Sequence, residues 1–159
     1  MKRIIAKYLF ALLLAFIGTA TYAQENPFDK FADSENLSYT YVSKQMIGLI
    51  KDWDLPTNLS LNFNSQDINN LHSVQIISCG KDAIGELKSE AMSIIKKGDF
   101  KTFLQANAAE VKTHIYSKDA KKGCIVVVIT EIKHEMVVCV FTYDCQLKDL
   151  GIKTTTKYN

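Results

Sequence analysis

Residues 123–145 read GCIVVVITEIKHEMVVCVFTYDC, and the fold turns on them. Two runs rich in β-branched and aromatic residues flank a charged break at Lys133, His134 and Glu135, the pattern of a β-hairpin. The first run is apolar at both parities, with Ile125, Val127 and Ile129 on one side and Val126 and Val128 on the other. The second sets Val137, Cys139, Phe141 and Tyr143 against Met136, Val138 and Val140. A strand with one wet face alternates apolar and polar residues, because successive side chains point to opposite faces. Neither run does so. Both are therefore expected to be central strands covered on both sides, or to meet a partner on one.

Pairing the stronger faces, Ile125, Val127 and Ile129 with Val137, Cys139, Phe141 and Tyr143, requires an odd-length loop around Lys133 to Glu135. That register leaves Val126, Val128, Met136, Val138 and Val140 together on the second face, an apolar patch suited to a partner unless another segment covers it. It also points Cys124 away from Cys139 and Cys145. Cys139 and Cys145, six strand positions apart, lie about 20 Å from one another. Four free thiols are expected on this reading, with the partner of Cys79 left open.

The first 23 residues, MKRIIAKYLFALLLAFIGTATYA, have the three parts of a secretory signal: Lys2, Arg3 and Lys7, an apolar run from Tyr8 to Ile17, and small residues at Thr21 and Ala23. Cleavage is expected between Ala23 and Gln24. The apolar run falls short of the about 20 residues of a membrane span, so no stable span is expected after cleavage. No cysteine lies near the cut, so a lipoprotein is not expected either. The expected location is the periplasm or envelope.

The chain of 159 residues carries 19 basic and 17 acidic side chains, a net charge of +2. Losing Lys2, Arg3 and Lys7 leaves 16 bases against 17 acids, or −1. Arg3 is the sole arginine, and arginine is the preferred fork for phosphate, carboxylate and guanine. A mature chain without it and near neutrality is a poor nucleic-acid binder.

Taken in order, a short helix is expected after Asn26, carrying Phe28 and Phe31, then a strand at Leu37–Val42. Ser43 fits a helix N-cap before Met46, Ile47, Ile50 and Trp53. Residues 54–70 are irregular, with a short strand through Leu59, Leu61 and Phe63. Ser73–Cys79 reads as a strand ended by Gly80. Asp82 is placed to cap the longest helix, whose stripe is Ile84, Leu87, Ala91, Ile94 and Ile95, with Lys88, Glu90, Lys96 and Lys97 facing away. Gly98 stops it. Asp99 then caps a second short helix with Phe100, Phe103 and Leu104. Glu110–Ser117 is a strand with Val111, Thr113 and Ile115 on one face and Lys112, His114 and Tyr116 on the other. Helices ahead of consecutive strands predict an α+β, two-layer single domain over residues 24–147. It has a mainly antiparallel sheet ending in a three-strand meander, helices on one face, and a polar tail at 148–159.

The run FDKFADSENLSYTYVSKQMIGLI resembles the opening of a family of small exported proteins of Bacteroidota, domain of unknown function family 4252. The likeness rests on Val42, Ser43, Lys44, Gln45 and Met46. It continues through Leu71 to Ile77, the start at Gly98 to Leu104, and the closing hairpin of valines. It implies an exported protein and no mechanism.

Candidate chemistry is sparse. Cys79, Cys124, Cys139 and Cys145 form no CxxC pair, so a thioredoxin-like site is not favoured, and no close-spaced ligand pairs suggest zinc. A Cys124/His114 pair on neighbouring strands is the one arrangement open to a hydrolase-type enzyme. Against it, a free cysteine is usually a small buried hydrophobe, and His114 reads as an exposed strand residue. Asp52 and Asp54 read as solvated, and Glu131 and Glu135 as charge beside a turn. No catalytic, cofactor-binding or metal-binding residues are assigned. The favoured reading is an exported, non-enzymatic module that binds an envelope protein or itself.

Overall fold

The computed structural model describes residues 26–49, 61–62, 65–150 and 153–154. The export segment at 1–23, the pair Asp52 and Asp54, the helical positions Ile50 and Trp53, the strand positions Leu59 and Phe63, and the end of the tail lie outside them.

The chain begins with a 3-10 turn at Asp29–Asp33, then β1 (Ser38–Ser43) and a one-turn helix α1 (Lys44–Ile47). Next come β2 (Leu61–Asn62), α2 (Ser65–Asn70) and β3 (Leu71–Gly80). After a 3-10 turn at Lys81–Ala83, α3 spans Ile84–Lys97. Four strands follow: β4 (Lys101–Asn107), β5 (Val111–Ala120), β6 (Gly123–Ile132) and β7 (Glu135–Tyr143). A 3-10 turn at Leu147–Asp149 leads to β8 (Lys153–Thr154), which pairs with β2.

Six strands form one antiparallel sheet in the order β1-β3-β7-β6-β5-β4. The domain is α+β, as expected, and the closing meander has four strands rather than three.

The long helix lies on one face. Leu87, Ala91, Ile94 and Ile95 pack there with Phe28 and Phe31 against Ile77, Ile125, Val127, Ile129, Met136, Val138 and Val140. Opposite, Val74, Ile115, Val126, Val128, Val137, Cys139, Phe141 and Tyr143 are buried with Ile47 of α1, and Ile68 of α2, Leu147 and Leu150 pack around them. Short elements thus cover the face the long helix leaves. This double cover is why β6 and β7 read as unbroken apolar runs.

Three expectations are corrected. The pair β6–β7 closes through the two residues Lys133 and His134, with Ile132 opposite Glu135, Val128 opposite Cys139 and Val126 opposite Phe141. Directly opposite residues share a face, so odd positions pair with even ones. With both faces buried, neither parity had to be favoured, and the short turn set the register.

The predicted second helix after Asp99 is β4. Phe103 has no partner between Thr102, opposite Tyr116, and Leu104, opposite Ile115. That extra residue is a bulge, and it mimics the i, i+3, i+4 spacing of a helix at Phe100, Phe103 and Leu104.

Asp82 sits inside the 3-10 turn, and the N-cap of α3 is Ala83, with no capping side-chain bond. The other end is well made. The Gly98 amide donates to Ile94 and the Phe100 amide to Ile95 (2.8 and 3.3 Å), with Asp99 between them at φ 56°. The second bond and the left-handed residue are those of a Schellman-type stop.

Candidate functional site

The five-residue apolar patch does not exist as one surface. Val126 and Val128 lie on the face of α1 and α2, while Met136, Val138 and Val140 lie under α3. All five are at most 5% exposed. The register through Lys133 and His134 divides them.

The pairing of β5 with β6, in which Asp119 stands opposite Cys124, divides the Cys124/His114 pair. Tyr116 belongs to the core under α3, and His114, two residues away in β5, points to the same side. Cys124 belongs to the opposite core and is 1% exposed. His114 stands opposite Ile129, five positions along β6 from Cys124, about 17 Å at strand rise. The sheet separates thiol and imidazole.

His114 instead joins a polar ledge beside the helix. Its Nδ1 lies 3.1 Å from Gln105 Nε2 and 3.4 Å from the Tyr116 hydroxyl, and its ring stacks on Tyr116. The Tyr116 hydroxyl donates to Met92 Sδ at 3.7 Å. Nearby, Lys88 donates to Glu131 at 2.6 Å, a hydrogen bond that holds the Glu131 carboxyl below its ordinary range, with Lys112 and His114 adding to the effect. Glu135, at the hairpin turn, is exposed.

All four cysteines are free, and Cys79, Cys124 and Cys139 are buried. Burial pushes the Cys124 and Cys139 thiols up to about 12, and raises those of Cys79 and Cys145. A thiol so disfavoured as thiolate is a poor nucleophile and a poor metal ligand. Cys124, Cys139 and Cys145 all contribute to one core, contrary to the expectation that Cys124 faces away. Among the described residues no group of three or more His, Cys, Asp or Glu side chains gathers as a metal site would require.

Two of the recesses lined by described residues are shallow. One, about 280 Å³, is lined by Glu110, Lys112, Glu131 and Lys133 with Ala109 and Ile132; the other, about 150 Å³, lies between the Asp29–Asp33 turn and α3. The first is below the customary size of a small-molecule site and ringed by mixed charge, and neither converges polar groups on an apolar interior.

Another feature of the described residues is the β1 edge. Gln75 of β3 reaches across the sheet and donates to Asp29 and to the Tyr39 hydroxyl, holding the 3-10 turn, β1 and β3 together. Tyr39 is half-buried as a result, whereas Ser38, Thr40 and Tyr41 are exposed. β1 pairs with β3 without interruption from Ser38 to Ser43, and among the described residues nothing pairs with its other side. Among the described residues, three of the four exposed large apolar side chains, Tyr41, Met46 and Leu49, belong to β1, α1 and the residues just after it. Sequence reading found the strand and missed the edge. The available signal was SYTYVS itself, a β-prone run with no charge and no proline.

The family model described as Domain of unknown function (DUF4252) matches residues 29–151. No curated protein and no solved structure matches the chain.

Proposed function

The chain belongs to the family described as Domain of unknown function (DUF4252), and we propose that it is an exported, non-enzymatic module that binds protein through the open edge of β1. The supporting observation is the contrast between the two ends of the sheet. Edge strands are normally blunted by charge, proline or a bulge, because their unpaired amides and carbonyls recruit other strands. β4 begins with Lys101 and carries the bulge at Phe103. β1 has none of these devices. An unblunted edge is the surface used in binding by strand addition, where main-chain hydrogen bonds supply affinity and alternate side chains supply selectivity. The separation of Cys124 from His114 leaves the hydrolase alternative without its pair. The leader-like residues 1–23 support export to the periplasm or envelope.

The test is cross-linking of the tagged full-length protein in intact cells, followed by recovery from the envelope fraction. Wild type and His114→Ala should each retain the same cross-linked protein, whether another protein or an untagged copy. Thr40→Lys, which places a charge on the β1 edge, should lose it. Equal recovery from all three would overturn the reading.

A further inference from the structure

At one end of the sheet β4 starts at Lys101, opposite Ser117 of β5, and β5 turns into β6 through Lys121 and Lys122. The Lys118 ammonium donates to the Gly98 carbonyl at 3.1 Å, which sets the last turn of α3, with Lys96 and Lys97, beside the same strands. Lys96, Lys97, Lys101, Lys121 and Lys122 are all exposed. Among the described residues none of them is in an ion pair, whereas Lys30, Lys44 and Lys88 each hold a carboxylate. We infer that this lysine-rich end docks the domain on an anionic phospholipid bilayer.

The acids nearby do not neutralise it. Asp67 is buried, Asp119 accepts the Leu147 amide at 2.9 Å, and Asp144 is held by Lys44 and His72. Asp149 sits beside Lys148 on the last 3-10 turn, and Asp99 stands exposed among the lysines. The other end of the sheet, around the β6–β7 turn, interleaves Glu110, Lys112, Glu131, Lys133 and Glu135. Positive charge is thus gathered at one end and mixed with negative charge at the other. Lys96 and Lys97 also offset the negative end of the α3 dipole. The adjacent pair Lys121 and Lys122 does nothing for the fold but repel.

These lysines converge on neither of the recesses described above. Lysine is a point charge on a flexible stem, and the described residues hold no arginine, the fork that fixes a single phosphate or guanine. Charge spread over a strand start, a turn and a helix end matches an extended anionic surface, to which each nearby lysine adds attraction. Phe103, 49% exposed, lies two residues along β4 from Lys101 and outside the ladder pairing. An exposed aromatic ring beside cations suits the headgroup boundary of a bilayer. This end borders β4, on the side of the sheet opposite the β1 edge, so the inference stands apart from the edge-binding reading.

The test is flotation of the protein with phosphatidylcholine vesicles, with and without phosphatidylglycerol, at low and high ionic strength. All variants keep the same N-terminus, so any contribution of residues 1–23 is common to them. Wild type should float with the anionic vesicles in excess over the neutral ones, and salt should remove the excess. Lys121→Glu with Lys122→Glu should weaken binding by about tenfold or more, and Lys101→Glu repeats the test away from the turn. Lys112→Glu with Lys133→Glu, the same charge change at the far end, should bind as wild type. Phe103→Ser should weaken binding without altering its salt dependence.

Equal flotation on neutral vesicles, or equal loss in the two double variants, would overturn the inference. Retention on heparin, a soluble polyanion, without vesicle binding would overturn it too. Thr40→Lys should float as wild type, so loss of an edge partner and loss of the bilayer are separate results.

Discussion

The backbone of Gly123 passes so close to Tyr143 that a Cβ added to the glycine would stand 1.9 Å from the tyrosine carbonyl oxygen. Gly123 also has φ +151°, a conformation L side chains rarely adopt. Close approach and dihedral act together where β6 begins and β7 ends. Gly123→Ala should therefore destabilise the domain by about 3 kcal/mol or more, through strain and a displaced strand end. Urea unfolding would measure it, and a loss below about 1 kcal/mol would refute the close contact.

The end of α3 offers paired substitutions of opposite sign. A Cβ at Gly98 would meet the Phe100 ring at 2.7 Å and the Ile94 carbonyl at 2.9 Å, so Gly98→Ala should destabilise. At Asp99, with φ 56°, glycine removes the left-handed penalty, and Asp99→Gly should stabilise by about 1 kcal/mol. Thermal melts of the two variants should move in opposite directions.

Asp144 gives the domain part of its acid sensitivity. Burial acts to raise its carboxyl, but hydrogen bonds and charge from Lys44 and His72 outweigh it and hold the group below its ordinary range. Lys44 is 2.5 Å away and His72 3.0 Å. A depressed folded value means the contribution is complete above the unfolded carboxylate range and is lost as pH falls through the folded value. At 41% exposure the pair is screened, so Asp144→Asn should cost less than about 1 kcal/mol at neutral pH. The difference from wild type should vanish well below about pH 4. Urea titrations at both ends of this range would check it.

The thiols should separate by accessibility. In the native protein at mildly alkaline pH, Cys145, half-buried, should alkylate ahead of Cys124 and Cys139, whose thiols are pushed up to about 12. Denatured without reductant, all four should label. Labelling of two or fewer would reveal a disulfide, and mass mapping should then look first at Cys124 and Cys145, which share one core.

Much of the architecture was legible because single faces announced themselves. The stripe Ile84, Leu87, Ala91, Ile94 and Ile95 could be read only as a helix, and α3 runs from Ile84 to Lys97. Ser73 to Cys79 likewise lies within β3. The register of β6 and β7 was not legible, because runs apolar at both parities fit either pairing and the choice fell to the turn at Lys133 and His134. β4 was misread because a bulge at Phe103 counterfeits helical spacing. The proposed patch failed with the register, since a one-residue slip exchanges the faces of a whole strand. The open edge at β1 left no periodic trace: whether a strand has one neighbour or two depends on distant segments.

The sheet order imposes a timetable on assembly. β3 is synthesised well before β7, yet β7 is its neighbour on the inner side, and α3, β4, β5 and β6 all come between them in the chain. The meander from β4 to β7 can zip from its turns, whereas the junction of β3 with β7 closes a long loop and waits for the chain's last long strand. Until β7 has been made, Ile76 and Ile77 lack their inner partners Cys139 and Val138, so a nascent chain carries an incomplete apolar strand of the kind that holding chaperones recognise.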